Sequence, residues 1–315
     1  MKTIRVVLAT CILAMAAWGQ TALPSASANP RPSQNRARPG HPTVIVRDAT
    51  FQSAALGRGM RYRILLPAGY ETSSRRYPVL YLLHGLMGSY VDWESRTHLD
   101  DYDATLPLII AMPDGGDSWY TNSAAEAQER WEDYIVKDFI PYIDKTYRTI
   151  QTRHARAIGG LSMGGYGAMK FALKFPGTFI FAASFSGAEV VVHDPDSKIP
   201  FGQKYTDQIH GIFGAGVTPT RTDNDVFELA RKRTPAQTPY LMVTCGTEDG
   251  LLASNREFVA LLQQQKLRYE YHESAGAHTW MYWDEQLSGM LSLLMERFFQ
   301  EPQPRKLPLP QQKQK

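Results

Sequence analysis

Gly160-Leu161-Ser162-Met163-Gly164 is a G-x-S-x-G pattern set between an apolar run and a segment of helical periodicity. The letters alone recur by chance, so the context carries the meaning. In a tight strand-to-helix turn, side chains two residues either side of the serine would collide. Glycine there lets a strained backbone thrust the serine hydroxyl out at the carboxyl edge of a sheet, where it can attack a carbonyl carbon. Gly165 and Gly167 extend the same relief into the first helical turn.

A nucleophilic serine needs a base, and the base needs an acid to orient it. In the strand-turn-helix arrangement these follow in the order serine, acid, histidine. Of the downstream histidines, His278 sits in the small-residue loop Ala275-Gly276-Ala277-His278, between a strand-like stretch (267–273) and the last helical stretch, and is the expected base. His272 falls with Arg268 and Glu270 on the polar face of that strand and reads as structural. His193 and His210 lie in a region without a partner pattern. For the acid, Glu248 and Asp249 both follow an apolar strand in CGTEDG. Asp249 is favoured, one residue further into the loop and with the shorter, stiffer side chain, and Glu248 stays open as the alternative.

The oxyanion would be held by two backbone amides, that of Met163 after the nucleophile and that of Leu86 in His84-Gly85-Leu86-Met87-Gly88. His84 precedes the serine, the wrong order for the base, and is expected to support its loop by hydrogen bonding. Specificity is expected from two loops, 114–122 with Trp119 and Tyr120, and 187–222, a long irregular segment able to form a wall or partial lid. Trp280 and Trp283 beside His278 suit stacking on a sugar or aromatic acyl group, or equally packing under the last helix. No metal or cofactor is called for. Asp194 with Asp196, and Asp223 with Asp225, lack the spaced oxygen ligands of a calcium loop, and 223–225 reads as a helix start.

The elements that must position these residues are legible as apolar runs at 79–83, 108–112, 157–159, 179–184 and 240–244. Runs apolar at nearly every position suit strands buried on both faces of a parallel sheet. Helical stretches are expected over 129–147, 163–174, 254–265 and 279–299, and antiparallel edge strands within 43–66. The alternation predicts an α/β fold, a doubly wound, mostly parallel sheet with helices on both faces, and the order serine, acid, histidine along the chain is that of the α/β-hydrolase arrangement.

With those residues in view, the sequence resembles the Putative esterase family, which embraces esterase D, S-formylglutathione hydrolases, feruloyl and acetyl-xylan esterases and mycolyltransferases. The matching stretches are YPVLYLLHGLMGS, PDGGDSWYTN, GGLSMGGYGAMKFALKFP, VTCGTEDGLL and GAHTWMYW, spanning 77–283. The resemblance implies Ser162 as nucleophile, Asp249 as acid and His278 as base. It implies a serine carboxylesterase acting on short acyl or aryl esters, acetyl or feruloyl esters of polysaccharide foremost. An S-formylglutathione hydrolase-like thioesterase or an acyltransferase with the same triad is the alternative, and a non-catalytic binding protein of this fold a more distant one.

The 315 residues are 43% hydrophobic and 21% charged, as in a globular chain. The formal charge of +3 resides in the ends: residues 1–42 carry +5 and 301–315 carry +3, leaving −5 on 43–300. A nucleic-acid partner is therefore not expected. A basic start, an apolar run over 6–18 and Ala26-Ser27-Ala28 predict a signal peptide over 1–28, a secreted or periplasmic protein and no stable membrane insertion after cleavage. Residues 29–42 read as a disordered Pro/Arg-rich lead-in, 43–300 as one catalytic domain and 301–315 as a disordered basic tail. Loss of Cys11 with the signal would leave Cys245 alone, which excludes an internal disulfide or a multi-thiolate metal site. Oligomeric state is not legible in the sequence.

Overall fold

The structure is a computed structural model that describes residues 43–194 and 203–300. The expected signal peptide, lead-in and basic tail lie outside them. Eight strands form one sheet in the order β1-β2-β4-β3-β5-β6-β7-β8. The strands are β1 (Ile45–Ser53), β2 (Arg58–Leu66), β3 (Val79–Leu83), β4 (Ile109–Pro113), β5 (Arg156–Leu161), β6 (Phe181–Phe185), β7 (Tyr240–Gly246) and β8 (Tyr269–Ser274). β1, β2 and β4 pair antiparallel, and the six strands from β4 to β8 run parallel. The expected runs thus become strands, shifted by one or two residues.

The doubly apolar character of these runs has its cause in two cores. Val79, Tyr81 and Leu83 face one layer, while Leu80 and Leu82 face the other, because successive side chains of a strand alternate. On the first face pack α5 (Met163–Lys174), α9 (Val226–Arg231) and α10 (Leu252–Gln264); on the second pack α1 (Asp92–Arg96), α2 (Leu99–Asp103) and α11 (Trp280–Gln300). α11 buries Tyr282, Trp283, Leu287, Met290, Leu291 and Leu294 along one stripe. Each such apolar side chain stabilises the fold by roughly 1.5–3 kcal/mol.

Two expectations change. The stretch expected to be one helix over 129–147 is α3 (Trp131–Asp133), a wide π turn over Tyr134–Phe139, then α4 (Ile140–Thr146). Pro141 has no N–H for the carbonyl four residues back and its ring crowds that carbonyl, so the preceding turn widens. The segment 187–222, expected to be irregular, is largely helical where described: α6 (Val190–His193), α7 (Gln203–Phe213) and α8 (Pro219–Asn224). Ile209 and Phe213 of α7 are buried one turn apart, which supplies the apolar face that holds it down. Asp225 begins α9 as expected: its carboxylate accepts the Phe227 N–H at 2.8 Å. Asp223 and Asn224 instead close α8. Among the described residues, no helix is long and apolar enough to cross a membrane.

Candidate active site

The loops leaving the carboxyl ends of β3, β5, β6, β7 and β8 meet at one edge of the sheet. Ser162, directly after β5, has φ 53° and ψ −117°, an unfavourable conformation for any residue with a Cβ. The turn holds it there. Ser162 N–H donates to the Phe185 carbonyl at 2.9 Å, and the Ser162 carbonyl accepts from Tyr166 and Ala188. The flanking glycines are sterically required: a Cβ on Gly160 would stand 2.4 Å from the Gly164 backbone, and one on Gly164 2.5 Å from the Leu83 carbonyl oxygen. Although Ser162 occupies the N-cap position of α5, its side chain caps nothing, which leaves the hydroxyl uncommitted to the helix.

His278, in the loop after β8, meets Asp249 in the loop after β7, with Nδ1 2.9 Å from Oδ2 and 3.2 Å from Oδ1. Burial pushes the Asp249 carboxyl up, but the hydrogen bond and charge of His278 and the Leu251 amide outweigh it, so the carboxyl titrates below its ordinary range. An ionised carboxylate only accepts, so His278 Nδ1 carries the proton, and in the neutral imidazole Nε2 is the acceptor. The Asp249 side chain is almost wholly buried and that of His278 is partly open.

Glu248 does not face the histidine. Its carboxylate accepts from the Gly276 N–H and from Thr247, while its own N–H donates to the Gly276 carbonyl at 2.9 Å. The neighbouring acid therefore clamps the loop that carries His278. Gly246 permits this approach, since a Cβ there would lie 2.1 Å from the Gly276 carbonyl oxygen.

Across from them, His84 accepts the Gly115 N–H on Nε2 at 2.8 Å, so Nδ1 carries the proton and donates to the Gly85 carbonyl at 2.8 Å. This neutral imidazole ties the loop after β3 to the loop after β4. The Met87 N–H donates to Asp117 at 2.6 Å, fixing Met87 at φ 60°. Gly85 lies against the nucleophile turn, 3.4 Å from Ser162 Cβ for an added methyl. Among the described residues, neither the Leu86 nor the Met163 amide donates to a protein acceptor.

The expected substrate contacts are corrected by burial. Trp119 and Tyr120 are 2% and 0% exposed. The Trp119 ring packs edge-on against Tyr166 and Phe213, and the Tyr120 hydroxyl donates to the His84 carbonyl at 2.9 Å. Both brace the site from beneath. Trp280 is half-buried between Trp93 and Trp283 with the Arg96 guanidinium over its ring, so it too is packing first. His193, expected to lack a partner, pairs with Asp225 at 2.7 Å and stacks on Phe227. His272 pairs with Glu270 on the exposed face, as its position on the strand implied.

Residues that the sequence did not single out include Ser186, wholly buried at φ 48° just past β6, and Glu189, a wholly buried carboxyl one turn beyond. Both follow β6 in FSGAE, and an oxygen-bearing pair just past a buried strand was the available signal.

A serine on a strained turn between β5 and its helix, with an Asp–His pair carried by the loops after β7 and β8 of the same parallel sheet, defines the α/β-hydrolase class of fold. Within that class the chain belongs to the Putative esterase family, which it matches over residues 53–294. It is 32% identical over 254 residues to an esterase of Mycobacterium tuberculosis (strain H37Rv), covering 72% of this chain and 54% of that one. The chain thus spans about half the length of that relative. An acetyl esterase of Caldicellulosiruptor saccharolyticus is 26% identical, covering 69% of this chain and 83% of the other. A solved ferulic acid esterase superposes with a TM-score of 0.70 at 25% identity, covering 81% of this chain and 99% of that one.

Proposed function

We propose that the protein is a serine carboxylesterase that works through Ser162, His278 and Asp249. The observation that carries this reading is the ionised Asp249 holding the Nδ1 proton of His278 at 2.9 Å, at the same sheet edge as a serine strained into a nucleophile turn. Ser162 Oγ attacks the ester carbonyl as His278 Nε2 takes its proton, and Asp249 stabilises the imidazolium without taking a proton itself. The Leu86 and Met163 amides hold the oxyanion. His278 then protonates the departing alcohol, and water repeats the sequence on the acyl-enzyme.

The substrates we infer are short acyl or aryl esters, with acetyl or feruloyl groups on polysaccharide first. The similarity to an acetyl esterase and to a ferulic acid esterase supports that order. The sequence signature over 1–28 supports an exported protein.

The test is purified protein with p-nitrophenyl acetate and a fluorophosphonate probe. Turnover with labelling at Ser162 is expected, and absence of both overturns the reading. A panel of acetylated xylan, methyl ferulate and S-formylglutathione then ranks substrates. A preference for S-formylglutathione overturns the polysaccharide-ester assignment and leaves the triad intact.

A further inference from the structure

The loop after β3 folds into a tight turn over Gly85-Leu86-Met87-Gly88, closed by the Gly88 N–H on the Gly85 carbonyl at 3.1 Å. Met87, its third residue, has φ 60°, while Leu86 is not among the residues with positive φ. That combination is a type II turn, whose left-handed third position favours glycine. A methionine there opposes the form adopted, since its side chain suits the type I form, in which the central peptide is turned over.

The central peptide therefore needs an external hold. Burial does not supply it, because Met87 is 67% exposed. The Tyr205 hydroxyl of α7 reaches Met87 Sδ at 2.9 Å, but a thioether is a weak acceptor. The strong contact is the charge-assisted hydrogen bond that the Met87 N–H donates to Asp117 Oδ1 at 2.6 Å. Turning the peptide over would withdraw that N–H and swing the Leu86 carbonyl towards the carboxylate. Asp117 is itself held from two sides. Gln208 Nε2 of α7 donates to its carbonyl at 2.7 Å, and the nearby Gly115 N–H donates to His84 Nε2 at 2.8 Å.

The same turn carries the Leu86 amide. In a planar trans peptide the N–H points opposite to the carbonyl that precedes it. The Gly85 carbonyl accepts from His84 Nδ1 at 2.8 Å and from the Gly88 N–H, so the Leu86 N–H is directed away from both. Gly88 lies beyond the central peptide, so this aim depends on the turn keeping its form. Gly85 packs against the nucleophile, an added methyl there standing 3.4 Å from Ser162 Cβ.

Resting on the triad and oxyanion reading above, we propose that Asp117 is a positioning residue for the oxyanion hole: it accepts the Met87 N–H, keeps the Gly85–Gly88 turn in its left-handed form and so holds the Leu86 amide in register with Ser162. Asp117 acts through the backbone of the neighbouring loop and touches no substrate. An oxyanion donor serves the transition state more than the bound ester, so its displacement lowers kcat and spares KM.

The experiment measures turnover of p-nitrophenyl acetate and inhibition by a trifluoromethyl ketone, whose adduct with a serine carries the same oxyanion. The proteins are wild type, Asp117→Ala, Asp117→Asn, Met87→Gly and the Met87→Gly, Asp117→Ala double variant, each checked for folding by circular dichroism. Asp117→Ala is expected to lower kcat and to weaken the ketone about tenfold, less than outright loss of a donor would, with KM within about twofold of wild type. Asp117→Asn keeps an acceptor oxygen and should retain kcat within about threefold. Glycine adopts the left-handed form without help, so in the Met87→Gly background Asp117→Ala should cost about twofold or less. A wild-type kcat in Asp117→Ala, a loss confined to KM, or an equal loss in the Met87→Gly background overturns the inference, while wild-type turnover keeps the triad reading standing. Wild type without turnover or Ser162 labelling overturns both.

Discussion

The β1–β2 hairpin and the carboxyl edge of the parallel strands meet the need for left-handed backbone in opposite ways. In the hairpin the residue with positive φ is Gly57, at 63°, with open space around its Cβ position. At the carboxyl edge Met87, Trp119, Tyr120, Ser162 and Ser186 all adopt positive φ with full side chains, leaving Lys266 as the sixth and last such residue among the described ones. A left-handed residue other than glycine costs roughly 1–2 kcal/mol. That cost is concentrated where side chains must be aimed, and Gly57 avoids it in the hairpin turn; Lys266, in the turn before β8, is the exception.

The largest expected effect breaks the contrast at its centre. Ser162→Gly removes both nucleophile and strain, so kcat/KM for p-nitrophenyl acetate should fall by roughly 10⁴-fold or more, while the melting temperature rises. Ser162→Ala should lose the same activity without that gain, and equal melting temperatures for the two variants would contradict stored strain at the turn.

Next comes the division of labour between adjacent acids. Asp249→Asn should cost roughly 10³–10⁴-fold in kcat by stabilising the wrong imidazole tautomer. Glu248→Gln, which keeps an acceptor for the Gly276 N–H, should cost about tenfold or less. Steady-state kinetics on both variants checks this, and a reversed order would reassign the acid.

Glu189 sharpens the picture by pH. It is wholly buried, with Ser184 donating to one carboxylate oxygen at 2.7 Å and no hydrogen-bond partner for the other among the described residues. Burial first, then the Asp249 charge, pushes its carboxyl from an ordinary 4.5 up to about 7. The native state therefore keeps a proton that the unfolded chain releases. This contribution to stability is full below pH 4.5, declines as pH rises, and is gone above about 7. Urea titrations of wild type and Glu189→Gln should diverge across that window by on the order of 3 kcal/mol. Parallel curves would show that Glu189 ionises normally.

The smallest effect belongs to the hairpin. Gly57→Ala should lower stability by about 1 kcal/mol with kcat/KM unchanged. A kinetic change there would mean that the two regions are coupled.

Legibility in the sequence followed how local each constraint was. The strands showed because burial on both faces leaves unbroken apolar runs, as in Val79–Leu83 and Tyr240–Gly246. The Ser162 turn showed because Gly160 and Gly164 answer a collision within a few residues. In the structure the shorter Asp249 chain meets the imidazole and the longer Glu248 chain reaches the loop backbone, a difference of reach that the sequence carries in the two residue types. Trp119 and Tyr120 were misjudged because their burial depends on Phe213 and His84, far away in the chain. Helix α7 was missed although Tyr205, Ile209 and Phe213 repeat every four residues, because its other positions are polar and its core partners are distant.

Cys245 has a consequence for anyone handling the protein. It is buried, and burial first, then the Asp249 charge, pushes its thiol up to about 12. Essentially no thiolate exists there at neutral pH, so it should ignore maleimides and oxidants alike. It is the one cysteine among the described residues, so a cysteine engineered onto the surface of 43–300 could take a fluorophore or spin label without first removing the native thiol.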